Sequence, residues 1–303
     1  MAKRGWKVLG VVVGVVAVGA ASFVGWQAHA FDASLARTYE RPLPALTRSA
    51  DEAVVARGKH LAESVGACSS ADCHGPDLAG GKPLSMGPVA TLTGPNLTPA
   101  GKRAGGYTVP QLARLIRYGI KRDGHGVVFM PVHELSWLPD DDLTALGSYL
   151  ATVPPVEKPD GETHVKLLGK ILDRQDKMPL DVARRLEHVA PATDVPKPEP
   201  TARYGRFVAK ACVGCHGEHF SGGRIPGAPS SMPIPANITP DASALGPWTF
   251  ADFDKLLSTG VKRDGKQLDP FMPIDALSRL DETERRALWE YLRAVPPRPF
   301  GGR

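Results

Sequence analysis

The residues Cys212-Val213-Gly214-Cys215-His216 set two thiols three positions apart, with an imidazole beside the second. This is the spacing that attaches a c-type haem. Thiols at i and i+3 reach the two vinyl groups on one edge of a porphyrin. The adjacent imidazole then lies under the iron as its fifth ligand. Its other ring nitrogen is expected to donate to a carbonyl, which fixes the ring's orientation. A second site, Cys68-Ser69-Ser70-Ala71-Asp72-Cys73-His74, keeps the order with a wider gap, and Ser70 stands where the first cysteine of the narrower spacing would be. Two thioethers are expected here as well, with attachment through Cys73 alone as the fallback. A disulfide within each pair would suit an exported chain but leaves both histidines unexplained. A four-thiolate zinc site would need two distant pairs to share one metal. A thioredoxin-like pair needs a βαβ context that the sequence lacks.

Candidates for a sixth iron ligand follow from spacing. Met130 follows His74 at the same interval as Met272 follows His216, and each methionine comes after a phenylalanine and before a proline. A thioether is a soft, neutral ligand that raises the potential of haem iron, and Pro131 and Pro273 would stiffen the loop presenting it. A lone methionine is more often core filler, and equal spacing in both places is what favours ligation. Met86 and Met232 sit nearer their histidines in Gly/Pro-rich loops and are expected to pack. Asn96, Thr98, Asn237 and Thr239 are read either as propionate partners or as turn formers. Lys121-Arg122 and Lys262-Arg263 are read either as propionate partners or as solvated. His60, His125, His133 and His219 are expected at the surface.

These sites belong to an internal repeat. CHGP at 73–76 matches CHGE at 215–218, PNLTP at 95–99 matches ANITP at 236–240, and GIKRDG at 119–124 matches GVKRDG at 260–265. FMP recurs at 129–131 and 271–273, and YLATVPP at 149–155 recurs as YLRAVPP at 291–297. The shift between matching motifs never varies by more than one position, which marks two copies of one unit in series. Each copy needs a helix before its cysteines (51–65; 201–211) and a middle helix ending at Gly119 or Gly260, a suitable residue just past a helix end. A last helix should follow an acidic first turn at 140–142 or 281–282. Leu143, Leu146 and Leu150 recur at helical spacing, and no segment alternates as a strand would. Pro-rich stretches at 153–159 and 191–200 bound a connector with short helices expected at 162–173 and 180–189.

Lys3, Arg4 and Lys7 precede a stretch from Val8 to Phe31 with no charged side chain. As a helix it would reach about 36 Å, enough to cross a hydrocarbon core of about 30 Å, with the positive end in the cytoplasm. The competing reading is a signal peptide cleaved after Ala28-His29-Ala30. Beyond it, residues 31–303 hold 34 basic and 32 acidic side chains. That balance argues against a nucleic-acid partner. Gly and Pro number 32 and 29, so much of the chain is loop. Aromatics are only 7%, a shortage that two large apolar rings would relieve.

The run CxxCHG, GG, N[LI]TP, KRDG, FMP and YLxxVPP resembles the class I cytochrome c family in tandem dihaem form, over about residues 50–155 and 200–298. It looks like the membrane-anchored dihaem cytochromes c of bacteria, a group that includes cytochrome subunits of periplasmic dehydrogenases. The C-x4-C-H spacing is the main departure. The resemblance implies an all-α protein: an anchor or signal peptide at 1–31, a cytochrome c domain at 50–155, a connector at 156–199 and a second cytochrome c domain at 200–303. It implies two covalent c-type haems held by Cys68, Cys73, His74 and Met130, and by Cys212, Cys215, His216 and Met272. The implied function is single-electron transfer with a redox partner protein (a dehydrogenase, an oxidase or another cytochrome). The implied place is the bacterial inner membrane with the haem domains in the periplasm, or the soluble periplasm if the chain is cleaved. A dihaem peroxidase is the alternative, and it would need one iron with an open position.

Overall fold

The computed structural model describes residues 2–190, 194–226, 228 and 232–303, so the expected Pro-rich stretch at 191–200 lies partly outside the described residues. The chain opens with helix α1 (Ala2–Ala36). Its apolar residues from Val8 to Phe23 are largely exposed, and it is long and apolar enough to cross a membrane. Only its last third touches the rest of the chain, through buried Gln27 and Phe31.

The first copy is built from α2 (Glu52–Glu63), α3 (Val109–Tyr118), the single turn α4 (Val132–Leu135) and α5 (Asp140–Leu150). The connector carries α6 (Leu167–Arg174) and α7 (Val182–Leu186). The second copy holds α8 (Ala202–Val208), α9 (Lys210–His216), α10 (Phe250–Thr259), the single turn α11 (Ile274–Leu277) and α12 (Glu282–Ala294). Local chemistry sets these bounds. Thr108 and Thr249 close capping boxes with Gln111 and Asp252, which satisfies amide donors that a helix start leaves free. Gly119 and Gly260 end the same helices at φ +67° and +71°, a left-handed conformation that glycine adopts without strain.

The all-α expectation needs one correction. Three short strands, β1 (Leu84–Ser85), β2 (Ala90–Leu92) and β3 (His164–Val165), form an antiparallel sheet in that order. Two- and three-residue strands are too short to show an alternating pattern, and β3 comes from the connector. The connector is therefore part of the first copy's wall: Thr93 Oγ1 donates to the Glu162 carbonyl at 2.9 Å, and Asp160 accepts from the Asn96 amide at 2.8 Å.

In each copy the first and last helices cross where one of them has a glycine. A Cβ on Gly58 would run into the Ala145 carbonyl, with Tyr149 alongside. A Cβ on Gly205 would run into the Ala287 carbonyl, with Tyr291 alongside. The glycines let the two backbones touch, and the tyrosines close over the crossing. A single apolar core runs through both copies, from Leu61 and Ile116 through Trp137 to Tyr204, Phe253 and Leu292. Trp137 and Phe207 meet across the join as a tilted pair, ring centroids 5.4 Å apart.

Helix propensity alone favours alanine over glycine by about 1 kcal/mol. Overpacking a close crossing costs about 1–3 kcal/mol. Gly205→Ala should therefore lower the thermal midpoint of the protein; a rise would show that the crossing relaxes freely.

Candidate haem-binding sites

In the second copy, Cys212, Cys215 and His216 ride on α9, which ends at Gly217 with φ +82°. In the first copy the two extra residues open this turn. The His74 amide bonds back to the Cys68 carbonyl at 3.0 Å, and Ala67 takes φ +46°. Ala71 and Asp72 bulge into solvent.

The chain regains a common path at the histidines. His74 Nδ1 donates to the Pro95 carbonyl and His216 Nδ1 to the Ala236 carbonyl, both at 2.8 Å. The His74 and His216 carbonyls accept from the Gly80 and Gly222 amides at 2.8 and 2.9 Å. Leu78 and Phe220, equivalent positions, hold φ +57° and +59°. Their carbonyls accept from the Leu97 and Ile238 amides, both at 2.8 Å. A carbonyl can only accept, so Nδ1 carries the proton and Nε2 keeps its lone pair. Burial pushes both histidines below their ordinary pKa, which keeps the imidazole neutral, as a metal ligand requires.

All four cysteines are free thiols. Burial holds Cys68 and Cys212 up at about 12 and raises Cys73 and Cys215 as well. The thiolate is the form that binds zinc or attacks a disulfide, so these surroundings suit neither. The donor set fits a haem better: two apolar, uncommitted thiols beside one imidazole with a fixed tautomer.

The methionine loops also coincide. Val132 N–H donates to the Met130 carbonyl and Ile274 N–H to the Met272 carbonyl, both at 2.7 Å. Pro131 and Pro273, at the centre of these turns, hold φ −76° with ψ 54° and 63°. Each methionine is half-buried, and Met130 packs against the core that includes Cys68. Met86 is buried against Phe31 and Leu180, in the packing role expected for it.

Two groups of residues read as propionate partners or as turn and surface residues make bonds within the chain. Asn96 and Thr98 are fully buried, and Asn96 Oδ1 accepts from the Thr98 amide and hydroxyl at 2.9 and 2.8 Å. Asn96 Nδ2 donates to the Val156 carbonyl at 2.9 Å. Asn237 and Thr239 repeat these bonds, with the Arg298 carbonyl as the outer acceptor at 2.7 Å. Each Asn thus ties the loop that holds the histidine to the chain leaving the last helix. Arg122 donates to the Gly105 and Lys102 carbonyls and lies over Tyr107; Arg263 donates to the Pro247 carbonyl and lies over Trp248. Both arginines are exposed, as the solvated reading expects, and also bond to loop carbonyls.

His60 is half-buried and paired, not free at the surface. Its Nε2 donates to Glu284 Oε2 at 2.9 Å, and Glu284 is fully buried. Arg57 grips Asp142 with two bonds at 3.0 and 3.1 Å and reaches Glu284 at 3.4 Å. This network joins α2 and α5 to α12. His133 and His219 are exposed as expected, and His125 is half-buried. Glu134, on α4, is a further buried group. It accepts from the Gly214 amide between the two cysteine segments, and burial pushes its carboxyl up to about 8. Glu134 and His60 have no repeat partner, so spacing carries no signal for them; Glu284 does close a capping box with Asp281, a local signal for a helix start that does not show the pairing with His60.

Residues 204–296 match the Cytochrome c family model and form a cytochrome c domain. Over 101 residues, 31% of this chain, the protein is 36% identical to the cytochrome c subunit of a quinone alcohol dehydrogenase from Gluconacetobacter polyoxogenes. Over 282 residues, 86% of the chain, it is 28% identical to the fructose dehydrogenase cytochrome subunit of Gluconobacter japonicus. It is 26% identical to the corresponding alcohol dehydrogenase subunit of Gluconobacter oxydans over 99% of its length. The matches cover 22%, 56% and 62% of those relatives, so the chain spans less than two thirds of each.

Two pH dependences follow. The hydrogen bond to Glu284 raises the pKa of His60, so its stabilisation is complete below about pH 6.5 and fades as pH rises through the raised folded value. His60→Ala should lower the thermal midpoint most near pH 5.5 and least near pH 9. Glu134 shifts stability in the same direction but as a cost of burial: its folded pKa is raised to about 8, so the folded state loses stability as pH rises towards that value. Glu134→Gln should match the parent near pH 5 and melt higher near pH 9. Equal melting of parent and variant at both pH values would remove either assignment.

Proposed function

We propose that the protein is a membrane-anchored dihaem cytochrome c that passes single electrons from a dehydrogenase to a further redox partner on the periplasmic side. The observation that carries this reading is the matched pair of histidines. Each stands beside a cysteine pair, and each has Nδ1 bonded to a carbonyl at 2.8 Å. Two cytochrome c domains, at 50–155 and 200–303, flank the connector at 156–199. The recurrence of caps, left-handed residues and methionine turns in both copies supports that division.

In this reading Cys68 and Cys73 hold one haem and Cys212 and Cys215 the other. His74 and His216 would present Nε2 to the two irons, and Met130 and Met272 would supply the second ligand of each. The groups supply a one-electron change at each iron. The chain's own part is to keep both ligands of each iron fixed, so that little reorganises when the charge changes. The names of the relatives support a dehydrogenase as donor. The charge-free stretch from Val8 to Phe31 is longer than a signal-peptide core of about 7–15 residues, which supports an uncleaved anchor over cleavage after Ala30. Nothing in the comparisons or in the fold supports the peroxidase reading.

Protein made together with a haem-attachment system should carry two haem masses per chain; a single one would refute attachment at Cys68–His74. Met130→Ala and Met272→Ala should each lower the potential of one haem and let that ferrous haem bind carbon monoxide, while the other haem stays unchanged. Full carbon monoxide binding by the unsubstituted protein would refute the methionine assignments.

A further inference from the structure

We propose that the first turn of α6, through Leu167 and Leu168, sits in the headgroup layer of the bilayer as a second membrane contact beside α1. The inference rests on the reading of α1 as an uncleaved anchor. Leu167 and Leu168 are 52% and 41% exposed, at the start of a short helix that buries Gly169 and Asp173.

The pairings between α1 and α6 give their relative direction. Asp32 meets Lys170 at 2.6 Å, and Leu35 and Leu172 pack against one cluster with Phe31 and Leu180. Ser34 donates to Asp181, whose amide bonds to Asp173 on the last turn of α6. Later residues of α1 thus meet later residues of α6, and the two helices run the same way. The start of α6 therefore points back down α1 towards the exposed apolar stretch.

The helical rise of about 1.5 Å per residue sets the height. Leu167 lies about 4.5 Å below Lys170, level with residue 29 of α1. Trp26, 60% exposed and paired with Phe23 at 6.2 Å, lies about 4.5 Å lower still. Exposed tryptophan at the end of an apolar span marks the membrane interface. The headgroup layer above it is about 5–7 Å deep, which brings Leu167 and Leu168 within it. Lys166 precedes them, with Nζ donating to the Gly87 carbonyl at 2.6 Å on the tip between β1 and β2. An apolar pair flanked by lysine suits a phospholipid surface better than water.

The contact would fix the tilt of the haem-binding body over the bilayer. The test uses the full-length holoprotein in vesicles of phosphatidylethanolamine and phosphatidylglycerol, and in native membranes. A benzophenone amino acid replaces Leu167 or Leu168 in separate variants. Val18, within the span, and Lys255, exposed on α10, serve as references. On irradiation, positions 18, 167 and 168 should gain the mass of one phospholipid, and position 255 should not. Phospholipid adducts at 18 but not at 167 or 168 would overturn the proposal and leave the anchor standing. No adduct at 18 either would overturn both. Crosslinking of 167 or 168 to another protein in native membranes, without lipid adducts in vesicles, would assign the pair to a subunit interface and overturn the lipid contact.

Discussion

Two imidazole rings, each with its Nδ1 proton held by a backbone carbonyl, are what the rest of the chain is built to support. The acceptor carbonyls belong to Pro95 and Ala236, and both lie in loops without regular structure. A loop gives a fixed carbonyl only if it is itself tied down. Asn96 and Asn237 do this, each bonding back to its own threonine and outward to the extended segment that follows the last helix. That segment in turn is positioned by the glycine crossing of first and last helices. A chain of dependence therefore runs from Gly58 and Gly205 through the Asn loops to the ring nitrogens. The wider cysteine spacing in the first copy is absorbed before this chain begins, in exposed residues, and leaves the histidine path unchanged.

The two copies are joined by more than a linker. A common apolar core passes between them, and buried Glu284 receives His60 and Arg57 from the other copy. Leaving such a carboxylate without its partners costs more than the pairing itself gains, so the network selects one docking geometry. Glu134 lies on the same join, against Gly214, and is kept largely protonated at neutral pH by burial. In the proposed dihaem reading, this fixed join would set the separation of the two haems, and separation governs how fast an electron passes.

Much of this is legible in the sequence, for a physical reason. Helix bounds depend on local signals, and Asp51, Thr108, Thr249 and Asp281 each cap the helix expected after them. The histidines and methionines stand out because the repeat displays the same interval between them twice, and the cysteines because a pair precedes each histidine. What cannot be read depends on contacts between distant residues. The short strands, the loop contacts of Arg122 and Arg263, and the pairing of His60 with Glu284 all arise from partners that only the folded chain brings together. Asn96 supports two readings in the sequence, and its side chain facing Val156 decides between them.

The central claim is that one chain holds two closed, permanently ligated redox centres. A spectroelectrochemical titration of the purified holoprotein, counting electrons per polypeptide while following the spin state, tests it most directly. The account predicts two electrons taken up per chain, with both centres low-spin in the oxidised and reduced forms. One electron per chain, or a high-spin signal at either oxidation level, would contradict it.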